Sequence, residues 1–78
     1  MSRKEIFDRV VEICRDVFEN EAVMITEDST ADDIEEWDSI TFLDLISDIE
    51  EEFKIAFTLE EMSGFKTIGM IVDVIMSK

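Results

Sequence analysis

The stretch EEWDSITFLDLISDIEEEF, residues 35–53, carries the strongest helical pattern in this sequence. Asp38 favours a helix N-cap, because its side chain can accept a hydrogen bond from a backbone N–H of the first turn. Acidic residues on the opposite side leave one face apolar, and the pattern predicts an amphipathic helix that begins beside Ser39. The residues of the apolar face recur at helical spacing and are Phe42, Leu45, Ile46, Ile49 and Phe53.

Upstream, residues 2–20 predict another amphipathic helix. Ser2 and Glu5 have the spacing of a capping box, in which each side chain binds a free backbone N–H at the helix start. Cys14 falls within the apolar stripe, so we expect a buried, unreactive thiol. The stripe consists of Ile6, Phe7, Val10, Val11, Cys14, Val17 and Phe18.

Downstream, two shorter helices are predicted. Thr58 and Glu61 form a second capping box, and Gly64 follows so closely that only a short helical turn fits between them. Thr67 can cap a final helix, inside which Gly69 is expected to cost about 1 kcal/mol relative to alanine. The apolar stripe of that helix consists of Ile68, Ile71, Val72 and Ile75.

Between the first two helices lies a polar and acidic segment, residues 19–38, without helical periodicity. A loop this long in a small domain is usually functional or pinned by its own side chains, and isolated apolar residues favour pinning. These anchors are Val23, Ile25, Ile34 and Trp37. The only strand candidate is the short segment FKIAF. The sequence therefore predicts an all-α fold, a small four-helix bundle with a long first loop and a short third helix. One domain is expected over residues 1–78.

The charge of the chain restricts its partners. Its 21 acidic and 7 basic residues give a net charge of −14. This balance disfavours nucleic acid and anionic membrane surfaces and favours a partner that presents positive charge. Crowded carboxylates should also make the stability of the fold sensitive to salt.

Cysteine and histidine content narrows the function further. A single cysteine allows no internal disulfide, the N-terminus lacks the apolar core of a signal peptide, and no apolar run could span a bilayer. We therefore expect a cytoplasmic protein without membrane insertion. The chain has no histidine, so Ser39 lacks the usual base that would make it a catalytic nucleophile. A role other than that of an enzyme is predicted.

The acidic loop does not fit a specific calcium site. An EF-hand loop requires glycine at its sixth position and glutamate at its twelfth. Counted from Asp28, these positions hold Asp33 and Ser39. We expect no dedicated metal site, only weak and diffuse cation binding by the carboxylates.

Ser39 could simply start a helix together with Asp38. Two further features suggest more. The N–H groups and dipole of a helix start favour an attached anion, such as a phosphate ester. A mixed apolar and acidic strip also begins next to this serine, and it suits either a solvated face or docking to a basic surface. The strip consists of Ile40, Asp44, Ser47, Asp48 and Glu51.

The segment WDSITFLDLISDIEEEF resembles the phosphopantetheine attachment site and recognition helix of acyl carrier proteins, and the order of predicted helices extends the resemblance over the whole chain. It implies that Ser39 carries 4′-phosphopantetheine as a phosphodiester and that Asp38 is the aspartate of the motif. Ile40 stands where leucine is more usual, and Ser47 stands where fatty-acid carriers often have an apolar residue. Asp44 and Glu51 match acidic docking positions.

Before the serine, Glu36 and Trp37 replace a small Gly-Ala pair that is common in fatty-acid carriers. The resulting WDS form also occurs in carriers of specialised pathways and in D-alanyl carriers. This departure puts a housekeeping fatty-acid role in doubt but leaves the carrier role in place.

The resemblance also implies a function. Another enzyme modifies the serine, and the terminal thiol of the attached arm holds acyl intermediates as thioesters that the carrier shuttles between biosynthetic enzymes. The implied partners are a phosphopantetheinyl transferase and acyl-activating, acyl-transferring or synthase enzymes with basic docking surfaces, with the carrier itself a monomer. Two alternatives stay open: a D-alanyl or aminoacyl carrier, and an unmodified acidic protein-interaction module.

Overall fold

Four α-helices make up the regular structure of residues 1–78, all of which the computed structural model describes. They are α1 (Arg3–Val17), α2 (Ser39–Phe53), α3 (Leu59–Ser63) and α4 (Ile68–Ser77). The segment FKIAF forms no strand, and the only β-type pairing is an isolated antiparallel bridge between Thr30 and Thr67. The predicted all-α fold, with its long first loop and short third helix, is confirmed.

The core lies between α1, α2 and α4, and α1 packs against both other long helices. Each of these helices buries most of the apolar stripe that its sequence predicts, whereas α3 has no buried residue. The stripe residues that are only half-buried are Phe7, Val17, Phe42 and Phe53. Full burial of one large aliphatic side chain contributes roughly 1.5–3 kcal/mol, so the three stripes account for most of the stability. The side chains that are almost completely inaccessible are Val10, Cys14, Leu45, Ile49, Ile68, Ile71 and Val72.

The helix starts follow the predicted capping residues. The Ser2 hydroxyl accepts the backbone N–H of Glu5, and the Glu5 carboxylate accepts that of Ser2. Thr58 and Glu61 make the same reciprocal pair at α3. These bonds satisfy N–H groups that have no partner within the helix, which fixes where each helix begins.

The long first loop is held down by its apolar side chains. Val23, Ile34 and Trp37 are buried and Ile25 is half-buried, as the pattern of isolated anchors predicts. Ser29 is buried as well, and its hydroxyl accepts the backbone N–H of Thr26 at 2.9 Å. The loop is therefore a packed part of the domain that can position residues for the site.

Gly69 corrects one sequence expectation, because it lies in the first turn of α4 rather than inside the helix. Its backbone N–H donates to the carbonyl of Glu27 at 2.8 Å, and that of Ile68 donates to the carbonyl of Ser29 at 3.1 Å. The loop thus caps α4 with its own backbone. A Cβ at position 69 would lie 3.0 Å from the Glu27 carbonyl oxygen, so the close approach of the loop favours glycine here.

An ion-pair cluster joins α1 to the loop and to α4. The Arg3 guanidinium contacts the carboxylates of Glu27 and Asp73, the latter at 2.6 Å.

None of the four helices combines the length and apolar composition that crossing a membrane requires.

Candidate functional site

Ser39 is the first residue of α2, and its neighbours form a reciprocal cap around it. Oδ1 of Asp38 accepts the backbone N–H groups of Ile40 and Thr41, both at 2.9 Å. Oγ1 of Thr41 accepts the backbone N–H of Asp38 at 2.8 Å and donates to the carbonyl of Glu36 at 2.7 Å. The Ser39 side chain is exposed and none of these bonds uses its hydroxyl, so that hydroxyl is left free.

This cap changes the electrostatic description of the helix start. The N–H of Thr41, and then that of Ile40, lowers the pKa of the Asp38 carboxyl, so Asp38 is ionised at neutral pH. The sequence interpretation assigned the free N–H groups of this turn to an anion on Ser39. Two of them instead bind Asp38, and a phosphate on Ser39 would stand next to a carboxylate.

An apolar cleft of about 730 Å³ opens beside Ser39, between the first loop, α2, α3 and the segment that connects α3 to α4. Clefts of roughly 300–1,000 Å³ are typical of sites for small molecules and cofactors. The cleft was absent from the sequence analysis because tertiary packing assembles it from four separate segments. Its apolar lining is Ala31, Trp37, Phe42, Leu43, Met62 and Phe65, and its polar lining is Thr30, Asp32, Asp38, Ser39 and Lys66.

Stacked aromatic rings give the cleft a well-packed floor. The rings of Trp37 and Phe42 are nearly parallel, with centroids 6.4 Å apart. Phe65 meets Phe42 edge-on at 6.5 Å and Phe57 at 5.1 Å. Such pairs add about 0.5–1.5 kcal/mol each beyond the area they bury. The floor therefore holds its shape next to Ser39.

The predicted docking strip lies on the surface of α2, with all five of its side chains exposed. Ile40 is 74% exposed, and Leu43, which the sequence analysis missed, is 65% exposed. These two residues are neighbours one helical turn apart. Leu43 is an apolar residue that lies outside the buried face of its helix, and this position is the sequence signal that could have identified it. Together with Ile40, it forms a small apolar contact area beside Ser39.

Carboxylates along the strip repel one another. Slight desolvation by the atoms around it, followed by the negative charges of Asp16, Glu51 and Asp44, raises the pKa of the exposed Asp48 carboxyl. Asp16 belongs to α1, so the electrostatic field of the strip extends onto the neighbouring helix. This surface is suited to a basic partner. No group of three or more acidic, cysteine or histidine side chains has an arrangement that could hold a metal ion.

Cys14 takes no part in the site. It lies in the core, where burial raises the pKa of its thiol to about 12. A thiol with this pKa is protonated at neutral pH and is a poor nucleophile. Any thioester chemistry of the protein therefore requires a thiol from outside the chain.

Sequence comparison matches this chain to one protein family and to several acyl carrier proteins. The family described as "Phosphopantetheine attachment site" matches residues 8–75. An acyl carrier protein of Clostridium perfringens (strain 13 / Type A) is 36% identical over 70 residues, which cover 90% of this chain and 92% of the relative. One of Lactobacillus acidophilus is 32% identical over 77 residues, covering 99% and 96%.

Two solved structures that superpose on this chain are also described as acyl carrier proteins, one of them as putative. The solution structure of a holo acyl carrier protein from Geobacter metallireducens superposes with a TM-score of 0.86 at 33% identity, over 92% of this chain and 83% of that one. A putative acyl carrier protein from Mycobacterium tuberculosis has a TM-score of 0.83 over 92% and 96% of the two chains. Its identity of 21% makes it a match of fold alone.

Proposed function

Since this chain belongs to the acyl carrier protein family and is an acyl carrier that bears covalent phosphopantetheine, we propose that Ser39 is the residue to which the arm is attached. The observation that carries the proposal is the free, exposed hydroxyl at the start of α2. Asp38 and Thr41 occupy each other's polar groups, so they hold the turn without competing for that hydroxyl. When attached, the group supplies a terminal thiol that holds acyl cargo as a thioester.

The residues around Ser39 fit such an arm. The hydroxyl opens onto the apolar cleft, whose aromatic floor offers a surface for the arm and for the start of an acyl chain. Asp38 is the motif residue that fixes the first turn of α2 and thereby the direction of the Ser39 side chain. We propose that these features present the arm to partners while partly sheltering it.

Members of this family are carriers and not catalysts, and we propose that this chain catalyses no step of its own. Asp38, the carboxylate nearest to Ser39 in the chain, already accepts two backbone N–H groups and is a weak base. The chain has no histidine that could activate the hydroxyl. Removal of the serine proton is then left to the modifying enzyme.

Acyl carrier proteins act with synthase and transferase enzymes. For this chain we propose docking of a phosphopantetheinyl transferase, and of acyl-activating, acyl-transferring or synthase enzymes, through basic surfaces on the strip of α2. Leu43 joins Ile40 as the apolar part of that strip, and the exposed acidic residues provide the charge. We further propose a monomeric carrier formed by residues 1–78 that works in the cytoplasm, in keeping with its unpaired cysteine.

The alternatives from the sequence fare differently. The family match over residues 8–75 favours a modified carrier over an unmodified acidic interaction module. A D-alanyl or aminoacyl carrier would use the same Ser39 and the same cleft, and would differ only in cargo and partners. These carriers therefore share one function, and only their cargo, partners and pathway distinguish them.

Modification in vitro tests the proposed attachment. The purified protein is incubated with coenzyme A, magnesium and a broad-specificity phosphopantetheinyl transferase, and its intact mass is measured. The mass should increase by one phosphopantetheinyl group, and Ser39→Ala should abolish the increase. Ser77→Ala is the matched control, because it removes an exposed serine hydroxyl from α4, outside both the cleft and the strip, and should leave the increase intact. Modification that survives in Ser39→Ala would sink the assignment.

A further inference from the structure

The start of α2 is a poor place for a phosphodiester unless a cation lies nearby. The N–H groups of Ile40 and Thr41, which an anion at this turn could use, bind Asp38. Asp38 itself is ionised, because these bonds lower its pKa. The chain as a whole carries a net charge of −14. A further negative charge on Ser39 would therefore be repelled from several directions.

Lys66 is the one cationic residue that lines the cleft beside Ser39. It forms no ion pair, although acidic residues outnumber basic ones threefold in this chain. Most other cations are paired: Arg3 with Glu27 and Asp73, Lys4 with Asp8, Arg9 with Glu52, and Lys78 with Glu61. Lys66 is thus an uncommitted charge in the cleft that contains the attachment site.

Neighbouring residues fix the backbone of Lys66 at this place. On one side, the rings of Phe65 and Phe57 pack edge-on with centroids 5.1 Å apart. The backbone N–H of Phe65 also donates to the carbonyl of Met62 at 3.2 Å. On the other side, Thr67 is the N-cap of α4 and pairs with Thr30 across the first loop. The backbone of Lys66 is therefore held in place where the residue lines the cleft, and its side chain is exposed.

We propose that Lys66 is a positioning residue for the attached arm: its ammonium group pairs with the phosphodiester on Ser39 and holds the arm along the cleft. The inference rests on the proposed attachment at Ser39. Lysine is a compact point charge that binds phosphate oxygens without a fixed geometry, which suits a phosphodiester at the end of one covalent bond. The apolar floor then receives the pantetheine portion while the charge is neutralised at the rim.

A thermodynamic cycle measures this interaction. Wild type and Lys66→Gln are each prepared unmodified and with a free-thiol phosphopantetheine arm, and intact mass verifies both states. The absence of any acyl group excludes a carboxylate of the cargo as the partner of the lysine. At low ionic strength, modification should lower the Tm of Lys66→Gln by about 2–4 °C more than it lowers the Tm of wild type. Lys66→Arg, which keeps the charge, should behave like wild type.

Lys54→Gln is the matched control for the change in net charge. Lys54 is exposed at the C-terminal end of α2, forms no ion pair and does not line the cleft. Its removal should leave the effect of modification on Tm unchanged. The extra destabilisation in Lys66→Gln should also become clearly smaller in about 1 M salt, where the Debye length falls to about 3 Å.

The outcomes separate the two proposals. Normal modification at Ser39, with equal Tm changes in wild type and Lys66→Gln, would overturn the role of Lys66 and leave the attachment site standing. A difference that does not become smaller in about 1 M salt would also overturn it, because the interaction would not be ionic. A failure of Ser39 to accept the arm would overturn the proposed attachment, and this inference with it.

Discussion

The Asp38 carboxylate accepts the backbone N–H of Thr41 at 2.9 Å, and the Thr41 hydroxyl accepts the backbone N–H of Asp38 at 2.8 Å. These two residues therefore close the start of α2 reciprocally, with Ser39 between them and its hydroxyl unused. The arrangement fixes the serine without burying it. It also uses two of the backbone N–H groups that an attached phosphate could otherwise have bound, those of Ile40 and Thr41.

Loss of this cap should weaken both the fold and the modification of Ser39. Asp38→Ala removes the acceptor for two backbone N–H groups and should lower Tm by about 4–8 °C. Modification by the transferase should become slower, because the first turn of α2 then frays. Asp38→Asn keeps a side-chain oxygen acceptor and should lose clearly less of both. Thermal unfolding and a time course of intact mass measure the two effects, and equal losses in the two variants would show that the carboxylate charge matters more than the cap.

Acid should act on Asp38 and Asp48 in opposite directions. Hydrogen bonds lower the pKa of Asp38 in the folded protein, so its stabilising effect is present above the ordinary carboxyl pKa of about 3.9 and is lost as the pH falls through the lower folded value. Slight desolvation and neighbouring carboxylates raise the pKa of Asp48, so its charge destabilises the fold at neutral pH, and acid relieves this cost.

Asp48→Asn should accordingly raise Tm at pH 7, and the gain should disappear below about pH 4, where the unfolded chain is protonated at this position as well. Thermal unfolding at both pH values measures the difference. Asp28→Asn removes one negative charge from the exposed part of the first loop and is the control for net charge. A Tm of Asp48→Asn at pH 7 that does not exceed that of the control would contradict the prediction.

Gly69 should tolerate alanine poorly despite the higher helix propensity of alanine. The added Cβ would lie 3.0 Å from the Glu27 carbonyl oxygen, a backbone atom of the packed first loop, and the resulting strain should cost about 1–3 kcal/mol. Gly64→Ala is the matched control, since its Cβ would meet its nearest neighbour at an ordinary 3.5 Å. Denaturant unfolding of both variants is the measurement. Equal stabilities would mean that the loop can move away from α4.

Partner docking should depend on the position of the acidic residues rather than on total charge. Asp44→Lys combined with Glu51→Lys reverses two exposed charges of the strip, and we expect the transferase to modify this variant about tenfold more slowly or worse at low salt. Individual exposed ion pairs contribute less than about 1 kcal/mol, which is why two reversals are combined.

The control for docking is the double reversal Glu12→Lys with Glu21→Lys, which changes the net charge equally. Both residues are exposed, and neither forms an ion pair. Asp16 would be an unsuitable control, because its charge acts on Asp48 and hence on the strip. If the control slowed modification as much as the strip variant, the strip would be only a solvated face.

The helices and their starts could be predicted from sequence because each depends on local chemistry. Ser2 and Thr67 precede apolar stripes, Thr58 opens a capping box with Glu61, and the structure places all three caps at helix starts. At α2 the reciprocal cap has threonine at the third helical position instead of the glutamate or glutamine of the usual signature. Asp38 was therefore predicted without its partner Thr41.

The cleft and the role of Gly69 could not be predicted, because both arise from tertiary packing. Lys66 lies 27 positions after Ser39 in the chain, and only the packing of Phe65 and the bridge between Thr30 and Thr67 bring it to the same cleft. Local patterns hold no information about such an approach. The proposed attachment residue could be named from the sequence, whereas the charges and hydrogen bonds around it could be described only from the structure.

The most direct test of the central claim is localisation of the modification in protein isolated from its native host. Intact mass reports whether an arm and an acyl group are present, and fragmentation of the peptide that contains residues 35–53 identifies the modified side chain. We expect one phosphopantetheinyl group on Ser39, with any acyl cargo attached through its thiol. A native protein that bears the group on a different residue, or that never carries it, would contradict the account.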